Sequence, residues 1–134
     1  MTQQRGFTLV ELMITVSIIA LLMAVAVPTY QAQVQRTQQT RAQGDMMDAL
    51  GAAERYRAQQ LSYAGFALPA SLAASDRYNF QLQLQNNDQV AVITALPING
   101  QAGAGAMAVD SQGRTCLNTA DDSACNIGTD PVWK

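Results

Sequence analysis

The sequence predicts an α+β fold: one long N-terminal helix packed on a four-stranded antiparallel sheet. Three observations carry this reading. Residues 7–27 are almost uninterruptedly apolar, a run of about six helical turns. Apolar positions then recur in steps of three and four at Ala42, Met46, Leu50, Ala53 and Tyr56 or Arg57. Finally, Tyr78–Gln85 alternates strictly between apolar and amide side chains, and turn residues divide the remainder into short strands. A chain of 134 residues suits one domain. It is 49% apolar and only 13% charged, where a soluble domain averages about 25% charged. The absence of His and the presence of only two Cys leave little for a zinc, haem or iron–sulfur centre. They also exclude a Ser-His or Cys-His nucleophile built within the chain. A net charge of −2 and a pI near 4.8 run against a general nucleic-acid binder. Composition therefore points away from an enzyme, and the sequence assigns no catalytic residue, metal or cofactor.

The first element, residues 7–27, has 17 apolar residues in 21, broken by Thr8, Glu11, Thr15 and Ser17. As a helix it spans about 31 Å, one hydrocarbon core. Its apolar residues lie all round the helix, as lipid requires. A cleaved secretory signal is the alternative, with an apolar region of about 7–15 residues ending in a small-residue cleavage site. Here Ala26-Val27 passes into Pro28-Thr29-Tyr30 without an A-x-A site. The positive-inside rule does not fix the orientation, since Arg5 lies on one side and Arg36 and Arg41 on the other.

Glu11 stands inside this run, and a carboxylate at such depth costs about 2.5–3.5 kcal/mol on insertion scales. Snorkelling toward the interface is the plain alternative, because Glu11 follows Phe7 by only four residues. The ordered set Arg5-Gly6-Phe7-Thr8-Leu9-Val10-Glu11, followed by the long apolar run and Pro28, resembles the class III signal of type IV pilins and type II secretion pseudopilins. The resemblance implies a type IV pilin fold. It also implies a leader of residues 1–6, cut between Gly6 and Phe7 by a prepilin peptidase that methylates the new amine of Phe7. Glu11 would then neutralise that amine, within the chain or on a neighbouring subunit, and set the register of assembly. A desolvated opposite-charge pair is far more favourable than either charge buried alone.

The second helix half, residues 28–60, opens with Pro28. It removes a backbone donor and clashes with the preceding turn, so a kink is expected there. Many pilins carry a Gly before this Pro; residues 17–22 have none. The Gln-rich stretch that follows favours helix, because no Gly or Pro interrupts it before Gly44. Its apolar stripe is read as packing, so Met46 and Met47 need no cofactor. Gly51 weakens the helix and suggests close approach of a strand. Glu54-Arg55-Tyr56-Arg57 is read as a solvated helix end, and residues 53–63 resemble minor pilins of the PilE-like group. The helix is expected to end near Gln59–Leu61.

Residues 61–77 form the connecting loop, with a short turn of helix at Ala70–Ala74. Residues 78–134 form the sheet head. Tyr78, Phe80, Leu82 and Leu84 face the helix, and Asn79, Gln81, Gln83 and Gln85 face out. Asn86-Asn87-Asp88 is a turn, and Gln89–Leu96 is the second strand, ended by Pro97. Residues 99–105 read as a flexible Gly-rich loop, not a phosphate loop, because the strand-to-helix context is missing. Ala106–Val109 and Arg114–Leu117 form a second hairpin. Cys116 and Cys125 close a ten-residue loop. The resemblance places the head outside the cytosol, where a disulfide between them is expected. Asp121-Asp122 is read as a solvated loop, since calcium takes 6–8 oxygens.

The functional expectation is a structural subunit of a type IV pilus, a minor pilin needed for assembly or priming in twitching motility, adhesion or DNA uptake. A major pilin, a type II secretion pseudopilin and a DNA-binding uptake pilin are the alternatives. The resemblance implies an inner-membrane single-pass protein with a periplasmic head that later enters an extracellular pilus, or fimbrium. The implied partners are the prepilin peptidase, other major and minor pilins, the inner-membrane assembly platform, and membrane lipid before assembly. Direct nucleic-acid binding is not favoured, because after residue 60 Arg77, Arg114 and Lys134 face six acids.

Overall fold

The computed structural model of the chain describes residues 6–133. Of the expected leader, only Gly6 falls within it; residues 1–5 lie outside the described residues. The chain divides between Val34 and Gln35 into two units. Helix α1 (Leu9–Gln60) has 52 residues and contributes to both.

In the first unit, α1 presents apolar side chains on all sides and buries none of them. Its most apolar 18-residue window has a mean hydropathy of 2.5. The hydroxyls inside its apolar stretch are satisfied by carbonyls of the preceding turn, as a lipid-facing segment demands. Thr15 Oγ1 donates to the carbonyl of Glu11 at 2.6 Å, and Ser17 Oγ donates to that of Met13 at 2.8 Å. Helical assignment runs unbroken through Pro28. Pro28 has no N–H for the carbonyl of Ala24, while one residue on Thr29 Oγ1 bonds the carbonyl of Val25 at 2.9 Å.

In the second unit, α1 buries Ala42, Met46, Ala49, Leu50 and Ala53, a single stripe at helical spacing. Three of the five are Ala, which lets the helix backbone lie close over the sheet. Gly51 does not serve that purpose. A Cβ there would meet only the tip of Arg55, at 3.9 Å, so no strand approaches it. A one-turn helix α2 (Ala70–Ala73) seats Leu72 in the core.

The sheet contains β1 (Tyr78–Gln85), β2 (Val90–Pro97), β3 (Ala106–Asp110) and β4 (Thr115–Asn118), antiparallel in the order β1-β2-β3-β4. β2, β3 and β4 depart from the expected bounds by about one residue. Gln89 belongs to the β1–β2 turn, where its N–H bonds the carbonyls of Gln85 and Asn86, and Asn86, Asn87 and Asp88 all take positive φ. Pro97 closes β2 opposite Tyr78, at a strand end where a missing donor costs little. β3 extends to Asp110 because its N–H bonds the carbonyl of Arg114 and closes the hairpin.

The main core joins Ala42, Met46, Ala49 and Leu50 of the helix stripe to Tyr78, Ile93, Ala95, Met107 and Val109, with Phe80, Leu82 and Leu117 half-buried at its margin; Ala53 packs instead with Tyr63 and Ala91. A second apolar cluster covers part of the other sheet face: Val90, Val92, Ala108 and Cys116 meet Cys125 and Ile127. The strand alternation predicted only one apolar face. The disulfide loop supplies the cover for the second.

Candidate functional site

The N-terminal residues build the first candidate site. Gly6, Phe7 and Thr8 precede α1 and have no regular structure. Thr8 caps the helix: its Oγ1 accepts the N–H of Glu11 at 3.2 Å and donates to Glu11 Oε2 at 3.4 Å. Thr8-x-x-Glu11 is therefore a capping-box pattern, with the carboxylate held where the helix N-terminus carries partial positive charge. The Thr8-x-x-Glu11 spacing is the sequence signal of this cap, and it adds a local role to the amine-pairing expected of Glu11. Phe7 is 78% exposed and Leu9 75%. The site thus consists of one anchored carboxylate amid bare apolar surface, beside the residue expected to carry a new amine.

The distal end of α1 is not merely solvated. The Tyr63 hydroxyl donates to Glu54 Oε1, and the Arg57 guanidinium lies 5.3 Å above the Tyr63 ring. Tyr63 itself is fully buried. Tyr56 donates to the carbonyl of Ala64 at 3.0 Å and packs on Phe66 at 5.6 Å. These contacts clamp the helix end to the connecting loop. Arg55 alone of the four remains exposed.

In the head, Cys116 and Cys125 form a disulfide with 6.1 Å between their Cα atoms. The Asp130 carboxylate lies within 4.8 Å of both sulfurs. Sulfurs joined to each other offer no thiolate for a metal. Asp122, expected in a solvated loop, instead accepts the N–H groups of Gly103 at 2.7 Å and Gly105 at 2.9 Å. The Gly-rich loop is therefore pinned. From the helix side, Gln35 Nε2 bonds the carbonyl of Gly100 and Gln39 Nε2 that of Ala104. Gly105 is indispensable to this closure. Its φ is +88°, and an added Cβ would fall 2.5 Å from the carbonyl oxygen of Asn118. Neighbouring Asp121 accepts from the hydroxyl and N–H of Ser123, which hold its carboxyl below the usual range.

The cations of the described head are largely engaged. Arg114 Nη2 and Nε both lie 2.7 Å from Asp110 Oδ2, whose residue is fully buried. Arg77 bonds the carbonyl of Asn99 at 3.2 Å and stands 3.8 Å from Asp76. Burial and the charge of Asp122 push the Tyr78 phenol up to about 12, and its buried hydroxyl has no hydrogen-bond partner among the described residues.

Comparison with known proteins adds the following. Residues 28–119 match the family model described as "Type IV minor pilin ComP, DNA uptake sequence receptor". Residues 1–27 match the prokaryotic N-terminal methylation motif. A fimbrial protein of Pseudomonas aeruginosa is 52% identical over 54 residues, 40% of this chain and 35% of that one. A type IV major alpha-pilin of Moraxella bovis is 48% identical over 46 residues, 34% of this chain and 29% of that one. The chain thus spans about a third of the length of these curated relatives. Among solved structures, a type IV pilin from Shewanella oneidensis aligns with a TM-score of 0.51 at 22% identity, covering 69% of this chain and 97% of that one. The Neisseria meningitidis non-core minor pilin PilV aligns with a TM-score of 0.51 at 14% identity, covering 75% and 94%. These two show a shared fold.

Proposed function

This chain belongs to the type IV minor pilin family whose model it matches over residues 28–119, and from that premise we propose that it is a minor structural subunit of a type IV pilus. The family is one of structural pilins, which associate with other pilins in a filament. The apolar helix and the methylation motif fit a protein that is first anchored in a membrane and then drawn into the fibre. One observation carries the reading. The apolar stretch of the helix, residues 9–27, is sheathed in unburied side chains, and the one carboxylate within it, Glu11, is held at the first turn by Thr8.

In this reading a prepilin peptidase cuts between Gly6 and Phe7 and methylates the amine. The head faces the periplasm while the helix spans the inner membrane. Glu11 then pairs with the amine of a neighbouring subunit as the assembly platform moves the chain from lipid into the filament. Pro28 bends the stem between its membrane half and its head half. Separate ATPases supply the energy. The decisive experiment compares wild type with Glu11→Ala in membranes and in sheared fibres. Equal membrane levels with loss from the fibres are expected. Normal incorporation of Glu11→Ala would refute the role of this carboxylate. Deleting the chain and counting fibres separates a scarce priming subunit from an abundant major one.

A second reading is favoured by the family description, which names a DNA uptake sequence receptor. Arg36, Arg41 and Arg55 are exposed and have no side-chain hydrogen bond or ion pair among the described residues, so these helix cations, Arg41 among them, are open to a phosphate. A salt titration of duplex binding by the full chain in detergent tests it. Binding that weakens with salt and with Arg41→Ala supports a receptor role; no binding at low salt excludes it.

A further inference from the structure

In the second unit, α1 and the segment leading into β1 enclose an open cleft of about 180 Å³. That is small beside the roughly 300–1,000 Å³ that receives a drug-sized ligand, so it suits one small ring. α1 supplies one wall with Gln38, Arg41 and Asp45, spaced by three and four and so on one helix face. The opposite wall carries Ser75, Asp76 and Arg77, which follow α2. Ala42 and half-buried Phe80 add apolar and aromatic surface.

The polar groups of the cleft are largely uncommitted. Gln38 and Asp45 are half-buried, and with exposed Arg41 they make no side-chain hydrogen bond or ion pair among the described residues. Arg41 and Asp45 stand one turn apart, the spacing at which opposite charges commonly pair, yet neither engages the other. Ser75 Oγ accepts the N–H groups of Arg77 at 3.4 Å and Tyr78 at 3.3 Å, so its own proton is free to donate. Arg77 gives Nη1 to the carbonyl of Asn99 and stands 3.8 Å from Asp76. A guanidinium has five N–H donors, so others remain.

We propose that this cleft is a binding site for one saccharide unit, a neutral hexopyranose of a glycan. The distribution of charge singles out that class. Each wall carries one cation and one acid, so neither wall has a net charge. A phosphate or carboxylate gains from Arg41 and Arg77 and loses to Asp45 and Asp76. A zwitterion needs its cations and acids on separate sides. Neighbouring sugar hydroxyls each donate and accept, and an acid next to a guanidinium answers both functions. Hydrogen bonds to such ionised groups are the stronger kind. Phe80 supplies an aromatic surface for the C–H face of the pyranose. On a pilus subunit the site gives the head a hold on glycan-coated surfaces. It goes beyond the assembly role and does not depend on it.

The test is an NMR titration of the isotope-labelled full chain in lauryldimethylamine oxide, a detergent without sugar. The probes are the methyl glycosides of glucose, galactose and N-acetylglucosamine, and separately inorganic phosphate. At least one glycoside is expected to shift the amides of Arg41, Asp45, Ser75 and Arg77 saturably, with a Kd of about 1–10 mM. Arg41→Ala and Asp45→Ala each weaken that binding about tenfold. Ala favours the helix at both positions, and Trp133, which packs on the head core, checks folding by its fluorescence. Asp45→Ala also separates the ligand classes, since it weakens a sugar and strengthens a phosphate. No saturable shift with any glycoside at concentrations tenfold above that Kd overturns the proposal. So does sugar binding that Asp45→Ala leaves unchanged, or phosphate binding tighter than that of every glycoside. Shifts confined to the disulfide loop place the sugar elsewhere and overturn it too.

Discussion

Replacing Gly105 by Ala separates two costs that are usually confounded. Gly105 and Gly113 share a left-handed backbone, with φ of +88° and +79°. An L side chain pays about 1–2 kcal/mol for that conformation at either site. Only their surroundings differ. At Gly113 nothing lies within 4 Å of the added Cβ. At Gly105 the Cβ would stand 2.5 Å from Asn118 O, 2.8 Å from Thr119 Cα and 2.9 Å from Asn118 C. All three are backbone atoms, which cannot rotate aside. Relief requires the β4 end to move outward, at about 1–3 kcal/mol for overpacking. Gly113→Ala is therefore expected to cost about 1–2 kcal/mol, and Gly105→Ala about 2–5 kcal/mol. The assay is urea unfolding of the full chain in detergent, followed by Trp133, the single tryptophan, which packs on the head core. With a slope near 2 kcal/mol/M, the midpoints fall by about 0.5–1 M for Gly113→Ala and about 1–2.5 M for Gly105→Ala. Equal shifts would refute the steric argument and leave only the backbone cost. A larger shift at Gly113 would refute the description of both loops.

Other outcomes follow from the same head. Removing the disulfide with Cys116→Ala and Cys125→Ala frees a ten-residue loop, which the chain-entropy relation puts at about 2.7 kcal/mol. The melting temperature should fall by about 10–20 °C, and a fall below about 4 °C would show that the second apolar cluster holds without it. The Tyr78 phenol is raised in the folded state, so stability holds below its ordinary value of 10.0 and falls as pH rises toward about 12. The loss is about 3 kcal/mol. Tyr78→Phe removes both this alkaline loss and the unpartnered hydroxyl, so it should equal or exceed wild type at pH 7. Destabilisation of Tyr78→Phe by 1 kcal/mol or more would reveal a missing hydrogen-bond partner.

Much of this fold was legible because its signals are periodic. The run from Phe7 to Val27 is legible by its unbroken length, the stripe at Ala42, Met46, Leu50 and Ala53 repeats at helical spacing, and β1 alternates at every residue. Glu11 was found as an anomaly of charge. What sequence reading missed depends on contacts between segments distant in the chain. Asp122 resembles any loop acid until Gly103 and Gly105 are brought beside it. Glu54 and Arg57 resemble any solvated helix end until Tyr63 folds back under them. The second apolar cluster needs Ile127 to cross the sheet, which no local pattern encodes. Gly51 erred the other way: a glycine in a helix suggested a packing role that the structure does not give it.

The order β1-β2-β3-β4 also bears on how quickly the head can form. Every strand pairs with the next in sequence, so each zipping step closes a short loop at small entropic cost. Topologies dominated by local pairing fold faster than sandwiches built from distant strands. Docking of α1 from Gln35 onward on the sheet is the contact of greatest sequence separation, with Gln35 bonding Gly100 and Gln39 bonding Ala104. The sheet can thus close by neighbouring hairpins without waiting for the helix to dock. Its vulnerable interval, when unpaired strands could be captured by proteases or by one another, is correspondingly brief.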